Sequence, residues 1–220
     1  MNVFDIIGPV MVGPSSSHTA GAVRIGYISR KLIGEPIKEA KIYLHGSFYM
    51  TGKGHGTDLA LIAGLLGMKP DDTRIPSSFV LAEEQNLTFS FHEISLKNVH
   101  PNSCELRLIG HSGRKLTIIG SSLGGGLILI VSIDGLTANF SGDFPTLIVH
   151  NIDQPGHVAK VTNMLAEKGI NIANMQLYRK KRGLAAVMIL ECDQEVPKEY
   201  IRQIEALEGI NKVTYLSLDD

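Results

Sequence analysis

The sequence lacks the features that define several common protein classes. It contains no tryptophan, only two cysteines in 220 residues, and no apolar stretch near the roughly 20 residues that a membrane-spanning helix needs. Residues 1–5 include no basic side chain, so we expect no secretory signal peptide. The formal net charge of −1 gives no overall field that would draw the chain to nucleic acid or to an anionic membrane. We therefore expect a cytoplasmic protein that binds neither nucleic acid nor membrane.

The scarcity of cysteine also limits the metal chemistry of the chain. Cys104 and Cys192 lie far apart in predicted strands, so we expect two buried free thiols rather than a disulfide. An iron–sulfur cluster usually takes about three or four thiolates from its protein. The sequence therefore predicts no metal ligands in this chain, and any cluster that it uses must be bound mainly by another chain.

What the chain does contain is an ordinary globular composition. Hydrophobic residues make up 44% of it and charged residues 20%, and 220 residues are enough for two small domains with buried cores. The pattern changes near residues 141–145, where apolar runs separated by Gly/Ser-rich loops give way to regular, well-punctuated elements. We predict an α+β protein with domains at residues 1–143 and 146–220.

The second half has the pattern of a ferredoxin-like domain, in which short β-forming runs alternate with two stretches of helical spacing. The strands are predicted at residues 146–150, 170–178, 184–192 and 213–218, and the helices at 157–168 and from Pro197 to Gly209. Asp153 is placed to cap the first helix, and Pro155 to open it. The basic run at 179–182 then falls at a hairpin tip rather than in an RNA-binding patch. The order βαββαβ is that of the ferredoxin-like fold.

The first half is less regular. A Gly/Ser-rich loop at residues 13–17 leads into a helix that ends near Ile33, and a glycine-rich loop at Gly52–Gly56 leads into a helix at 57–66. Residues 87–140 are mainly strands. Segregated helices and strands favour an α+β domain, whose topology the pattern does not define.

The segment Gly13–Thr19 has the sequence GPSSSHT and gathers hydroxyl groups and an imidazole where a loop becomes a helix. The first N–H groups of a helix lack internal partners and suit a carboxylate or a phosphate. The hydroxyls would add donors, and His18 would add charge or proton transfer. We therefore predict an anion-binding loop. The alternative is that one of its serines simply caps the helix.

The segment Lys53–Asp58, with the sequence KGHGTD, is the second candidate. Glycines on both sides of His55 let the backbone approach a ligand closely. Lys53 could pair with an anion, and Asp58 could orient His55 or cap the following helix. The alternative is a flexible loop with Thr57 as the N-cap, which explains every residue except His55.

These loops, in this order, resemble those in the β chains of iron–sulfur-dependent bacterial L-serine dehydratases. The resemblance extends over essentially the whole chain. The matching segments are Phe4–Pro9, Gly13–Thr19, Gly46–Phe48, Lys53–Asp58 and His100–Asn102. The first domain resembles the allosteric substrate-binding (ASB) domain that some phosphoglycerate dehydrogenases share, which makes it an ASB-like α+β domain. Residues 150–177 resemble part of an ACT domain, an amino-acid-sensing domain of ferredoxin-like βαββαβ fold.

The resemblance implies a function. Members of this family deaminate L-serine to pyruvate and ammonia, and their α chain carries a four-iron, four-sulfur (4Fe-4S) cluster that acts as a Lewis acid on the serine hydroxyl. This chain would need that α subunit as its partner and would be inactive alone. By the resemblance, His18 and His55 are the catalytic candidates. The substrate-binding candidates are Ser15, Ser16, Ser17, Thr19, Lys53 and Asp58.

Two hypotheses on the role of the chain stay open at this point. In the first, the two loops line the α/β interface and help to bind serine. In the second, the chain is purely regulatory, and both of its domains are ligand sensors. Beside these two, a purely structural scaffold is the remaining alternative.

The ACT-like domain carries predictions of its own. A βαββαβ unit leaves one sheet face uncovered and a strand edge unpaired, so we expect a homodimer through this domain. We also predict that its first loop binds L-serine or another small amino acid, with Asn151, Asp153 and Gly156 as the effector-binding candidates. Gly156 would let the carboxylate approach a helix start, and Asp153 would meet the ammonium group. The alternative is that these residues only cap the helix and the domain serves to dimerise.

Overall fold

The computed structural model describes residues 10–179 and 181–217. The segment Phe4–Pro9 and Lys180 therefore lie outside the described residues. The chain separates into two compact units, residues 1–135 and 136–220. Both units contain helices and strands, which confirms the α+β class. The domain boundary at 143–146 stays a prediction.

The first unit combines helices with a mostly antiparallel sheet. Its helices are α1 (Ala22–Ile33), α2 (Ser47–Met50), α3 (Gly52–His55), α4 (Thr57–Leu65) and α5 (Ser78–Glu84), with a π-helical turn at Ser16–Gly21 and a 3₁₀ turn at Ile75–Ser77. Its strands are β1 (Ile37–Gly46), β2 (Thr88–Glu93), β3 (Asn102–Gly110), β4 (Lys115–Gly124) and β5 (Leu127–Ile133). The predicted loop at Gly52–Gly56 is wrong, because most of it forms the short helix α3. No helix in the described part of the chain is long and apolar enough to cross a membrane.

The strands of this unit lie in the order β2-β1-β3-β4-β5. Strands β1 and β2 are parallel, and the other neighbours are antiparallel. Side chains alternate along β1, so that Ala40, Ile42 and Leu44 are buried on one face of the sheet. Helix α1 covers this face at such close range that a Cβ on Gly120 of β4 would lie 2.7 Å from the Ile25 side chain.

Helices α1 and α4 pack against each other at backbone distance. A Cβ on Gly64 would lie 2.1 Å from the Val23 carbonyl oxygen, and one on Gly26 would lie 2.5 Å from the Leu61 carbonyl oxygen. Only a hydrogen atom fits at these two points, which explains why glycine is present within α1 and in the last turn of α4.

The second unit has the predicted ferredoxin-like order. Its elements are β6 (Leu136–Phe140), β7 (Thr146–Ile152), α6 (His157–Glu167), β8 (Ile172–Arg179), β9 (Ala185–Cys192), α7 (Lys198–Glu205) and β10 (Ile210–Leu216). Strands β7 to β10 form an antiparallel sheet in the order β10-β7-β9-β8, which confirms the βαββαβ prediction. One sheet face packs against both helices. Its core includes Leu147, Val149, Val161, Met188 and Ile204.

The other face of this sheet is not covered by residues 146–220 themselves, as predicted, and the preceding strand β6 packs against it. Ile148, Val187 and Ile189 on that face are buried. Strand β6 lies against β8 and β9, and Gln176 Nε2 donates a hydrogen bond to the Asn139 carbonyl oxygen at 2.7 Å. The strand edge behaves as expected, since β8 ends the sheet and no other described strand pairs with its outer side.

Two side chains that the sequence suggested as helix caps do not cap. Helix α4 begins at Thr57 after Gly56, which has φ 68°, and no side chain caps it. Helix α6 begins at His157 after Gly156, which has φ 95°, and again no side chain caps it. Glycine adopts these left-handed conformations without steric cost. Gly56 and Gly156 therefore occupy the N-cap positions that the sequence assigned to Thr57 and Asp153.

Replacing Gly64 with alanine should destabilise the protein, because the added Cβ would lie 2.1 Å from the Val23 carbonyl oxygen. We expect the free energy of unfolding in urea to fall by about 1–3 kcal/mol, the usual cost of overpacking. Alanine normally stabilises a helix by about 1 kcal/mol relative to glycine, so propensity alone predicts the opposite sign. Gly54→Ala is the matched control, since a Cβ there meets nothing within 4 Å. Wild-type stability in Gly64→Ala would contradict the close contact.

Candidate functional site

Ser15 starts the helical segment that carries His18. Its hydroxyl oxygen accepts a hydrogen bond from the His18 N–H at 3.1 Å, and its carbonyl oxygen accepts from the N–H groups of Thr19 at 2.8 Å and Ala20 at 3.3 Å. The bond from Ala20 spans five residues, which is the spacing of a π-helical turn. Such single turns occur frequently at functional sites. Here the turn lies directly before α1 and contains His18.

The His18 imidazole reaches the short helix α2. Its Nε2 atom lies 3.1 Å from the Ser47 Oγ atom and 3.1 Å from the Thr51 Oγ1 atom. Ser47 is itself fixed, because its N–H donates to the Pro101 carbonyl oxygen at 2.9 Å. The structure therefore brings the segments Gly13–Thr19, Gly46–Phe48 and His100–Asn102 together at one place.

His55 lies beside His18, with 4.9 Å between the ring centroids and 34° between the ring planes. Its Nδ1–H donates to the Thr51 carbonyl oxygen at 2.9 Å. A carbonyl oxygen only accepts, so the neutral His55 ring carries its proton on Nδ1 and leaves Nε2 free to accept one. The Thr19 hydroxyl donates to the His55 carbonyl oxygen at 3.2 Å, which joins the two histidine segments directly.

The surroundings of His18 favour its neutral form. Burial lowers the pKa of its imidazole below the usual value, and the nearby His55 lowers that pKa further, while a hydrogen bond to the Ser47 backbone opposes both effects. Removal from water disfavours the charged ring, and a second positive ring would repel it. The neutral ring, which can accept a proton, is therefore favoured near neutral pH.

Two of the three serines of the first loop have hydrogen-bond partners in the structure. Ser15 caps the helical segment, as the alternative interpretation proposed. The Ser16 hydroxyl accepts from the Gly125 N–H at 3.3 Å, and a Cβ on Gly124 would lie 3.5 Å from the Ser17 hydroxyl. The turn at 124–126 thus lies against the loop at Ser16 and Ser17.

In the second loop, Lys53 is exposed, and the Asp58 carboxylate accepts from the Leu59 N–H at 2.9 Å. The ring of His55 is instead bound by Thr51, which sequence reasoning missed. A signal for it exists, because Ser47, Thr51 and His55 recur at the spacing of four residues that places side chains on one side of a helix.

In the second unit, two of the three effector-binding candidates are already hydrogen-bonded to other residues. The Asp153 carboxylate accepts from Arg179 Nη1 at 2.9 Å and from the Gly183 N–H at 3.1 Å, and these bonds hold its pKa below the usual range. Asn151 is buried, with its Nδ2 bound to the Ile152 carbonyl oxygen at 2.8 Å and its Oδ1 without a hydrogen-bond partner among the described residues. Gly156 is exposed at the start of α6.

The two units define a class of protein, in which an α+β unit with paired histidines is followed by an ACT domain. A family model of the ACT domain matches residues 146–209. The model described as "Serine dehydratase beta chain" matches residues 2–132, and the chain belongs to this family.

Relatives of this family match the chain over nearly its full length. The chain is 40% identical over 216 residues to the "Probable L-serine dehydratase, beta chain" of Bacillus subtilis (strain 168), covering 98% of both chains. It is 35% identical over 218 residues to the "L-serine dehydratase, beta chain" of Peptoniphilus asaccharolyticus, covering 99% of this chain and 98% of the relative. A "D-3-phosphoglycerate dehydrogenase" of Methanocaldococcus jannaschii is 34% identical over 105 residues, which are 48% of this chain and 20% of that protein.

The residues of this chain do not fit an iron–sulfur cluster. Cys104 and Cys192 are both buried, and the two lie in different units. Burial raises the pKa of the Cys104 thiol far above its usual value and that of the Cys192 thiol to about 11, so both stay protonated, whereas metal ligation requires the thiolate. Among the described residues, no group of three or more His, Cys, Asp or Glu side chains is placed to hold a metal ion.

The purified chain should therefore contain no iron–sulfur cluster. We expect no stoichiometric iron or acid-labile sulfide after anaerobic purification, and no broad visible absorption, because two isolated thiols fall short of the roughly three or four that a cluster needs. Chemical assays for iron and sulfide, together with a visible spectrum, make the measurement. Stoichiometric iron and sulfide on the isolated chain would overturn this expectation.

Proposed function

We propose that this chain is the β subunit of an L-serine dehydratase that converts L-serine to pyruvate and ammonia in the cytoplasm. An α subunit would carry the 4Fe-4S cluster, and the β chain alone would be inactive. The likeness to two β chains named for this activity, over 98% or more of this chain, supports the assignment. The absence of a fitting ligand set in the described residues supports placing the cluster on the α chain.

The role that we propose for this chain rests on the pairing of His18 with His55. The two imidazoles, one on the π-helical turn and one on α3, have ring centroids 4.9 Å apart and are held by hydrogen bonds to Ser47 and Thr51. Deamination of serine requires a proton to leave Cα. A neutral imidazole in a half-buried site has the proton affinity for this task near pH 7. We infer that this pair handles protons at the α/β interface.

Substrate binding by the surrounding loop residues is part of the proposal. Lys53 is exposed two positions before His55, where its ammonium group could pair with the serine carboxylate. Ser16 and Ser17 precede His18 in the sequence and lie close to the turn at 124–126. Their hydroxyl protons are available to a carboxylate. Ser15, Thr19 and Asp58 would act mainly by shaping the loops, since each is bonded to the backbone.

The ACT domain supports a regulatory role beside this one. An unpartnered, buried Asn151 Oδ1 atom suits a donor such as an ammonium group, and the open approach to Gly156 suits a carboxylate at the start of α6. We propose L-serine or another small amino acid as the effector. Asp153 would take part only if the ligand displaced Arg179 from its carboxylate.

The alternative is a purely regulatory subunit with no residue in the active site. The ACT domain favours it, and the histidine pair favours direct participation. Replacement of the histidines separates the two. A regulatory subunit would show altered cooperativity, whereas a subunit that shares the active site would lose kcat.

In the reconstituted αβ complex, His18→Gln and His55→Gln should each lower kcat for serine deamination by about 10²–10⁴-fold, the usual contribution of a general acid or base. The measurement is pyruvate release under anaerobic conditions, with binding of the α chain checked separately. His111→Gln is the control, because His111 is exposed and lies on a turn after β3. Unchanged kcat in both variants, with a changed serine dependence, would favour the regulatory alternative.

A homodimer through the outer edge of β8 is the assembly that we propose for the second unit. This edge has no strand partner among the described residues, and Met175 and Leu177 on it are 41% and 51% exposed. Pairing of two copies along β8 would satisfy its free backbone groups and cover both side chains.

Leu177→Arg should therefore weaken dimerisation of the full chain, because it would bury a charge at the proposed interface. We expect sedimentation at micromolar concentration to shift from dimer towards monomer. Val80→Arg is the control, since Val80 is 59% exposed on a helix of the first unit. A monomeric wild-type chain, or a dimer that Leu177→Arg leaves intact, would contradict this interface.

A further inference from the structure

The Thr51 hydroxyl lies at the centre of the histidine pair. It donates to the Ser47 carbonyl oxygen at 2.9 Å, and its oxygen lies 3.1 Å from His18 Nε2 and 3.2 Å from the Ser47 hydroxyl. The Thr51 backbone carbonyl oxygen accepts the His55 Nδ1–H at 2.9 Å. One residue therefore contacts both imidazoles, through different groups.

Counting protons determines the direction of each bond. A hydroxyl has one proton and two lone pairs, and a backbone carbonyl oxygen can only accept. The Thr51 proton is used at the Ser47 carbonyl oxygen, so Thr51 Oγ1 can only accept from its other two neighbours. His18 Nε2 must then carry a proton, which it donates to Thr51 Oγ1.

The same count applies to the Ser47 hydroxyl. Its single proton points to Thr51 Oγ1, so towards His18 it can only accept, and the one Nε2–H proton of His18 is shared between the Thr51 and Ser47 hydroxyl oxygens. The neutral His18 ring is then the Nε2–H tautomer with its lone pair on Nδ1. The neutral His55 ring is the opposite tautomer, Nδ1–H, with its lone pair on Nε2.

We propose that Thr51 is a positioning residue that fixes the two histidines in opposite tautomers, so that the basic nitrogens of the site are His18 Nδ1 and His55 Nε2. The catalytic meaning of this assignment rests on the proposed function, but the tautomers themselves do not. Thr51 is well placed for this role, because it lies between α2 and α3 at the junction of two short helices. Gly52, the next residue, is buried against Thr57.

The two hydroxyls that contact His18 Nε2 have unequal roles in this arrangement. If Thr51 becomes valine, the Ser47 proton loses its acceptor and can turn to His18 Nε2, which favours the Nδ1–H tautomer instead. If Ser47 becomes alanine, Thr51 still donates to the carbonyl oxygen at position 47 and still accepts from His18 Nε2. Thr51→Val should therefore change the His18 tautomer, and Ser47→Ala should not.

The test is ¹⁵N NMR of the full chain at a pH where His18 is neutral, using two-bond ¹H–¹⁵N correlations of the imidazole rings. His18→Gln assigns the His18 signals by their loss. We expect a protonated Nε2 and an unprotonated Nδ1 at His18 in the wild type, in Thr51→Ser and in Ser47→Ala. In Thr51→Val we expect the protonated signal to move towards Nδ1. Since Thr51 is exposed, both of its replacements should fold, and a backbone amide spectrum checks this.

An Nδ1–H tautomer of His18 in the wild type would overturn the proposal, as would a Thr51→Val spectrum identical to the wild type. Loss of the tautomer in Ser47→Ala and Thr51→Val alike would reduce Thr51 to a structural residue. In the αβ complex, Thr51→Val should lower kcat by about tenfold or more with Thr51→Ser restoring it, in keeping with a proton-transfer role. If the tautomers change as expected but kcat does not, the positioning role stands and the proposed catalytic function fails.

Discussion

The contact between α1 and α4 is the constraint on which the histidine site depends. Gly26 and Gly64 let the two helices touch backbone to backbone, and the clash distances of 2.5 and 2.1 Å for added Cβ atoms leave no room for a larger residue. His18 lies just before α1, and His55 lies just before α4. The helices run side by side in the same direction, because residues near both starts are also in contact. The close packing of the two helices therefore also limits the separation of the imidazoles that precede them.

Hydrogen bonds then convert this proximity into a defined arrangement. The π-helical turn sets the path of the chain at His18, and α2 and α3 set it at Thr51 and His55. Ser47 is tied to the Pro101 carbonyl oxygen, which connects the site to the loop before β3. Packing brings the segments together, and directional bonds decide which nitrogen of each ring carries a proton. A substitution can therefore disturb the hydrogen bonds of the two rings and leave the packing of the segments intact.

Much of this arrangement could be predicted from the sequence. The features that were missed depend on contacts between residues that local sequence patterns do not reveal. The crowding of hydroxyls and imidazoles in Gly13–Thr19 and Lys53–Asp58 marked both loops, and the apolar spacing of residues 146–218 gave the order of the second unit. Thr51 was missed because its only sequence signal is the four-residue spacing from Ser47 and to His55, which becomes meaningful once these residues are known to lie on neighbouring helical turns. What covers the second sheet face was not predicted, because the pattern of a βαββαβ unit does not include β6, which precedes it and packs against β8 and β9.

The π-helical turn also constrains the length of the chain around His18. An α-helix rotates by about 100° for each residue, so removing one residue would let this wider turn relax into a regular helix and would rotate His18 away from Ser47 and Thr51. Adding a residue would disturb the bond between Ser15 and Ala20 in the same way. The π-helical turn between Ser15 and α1 thus also sets the spacing that places His18 beside Ser47 and Thr51. The number of residues in this segment is therefore constrained as well as their identity, since a Cβ on Gly21 would lie 2.0 Å from the Ser122 hydroxyl oxygen.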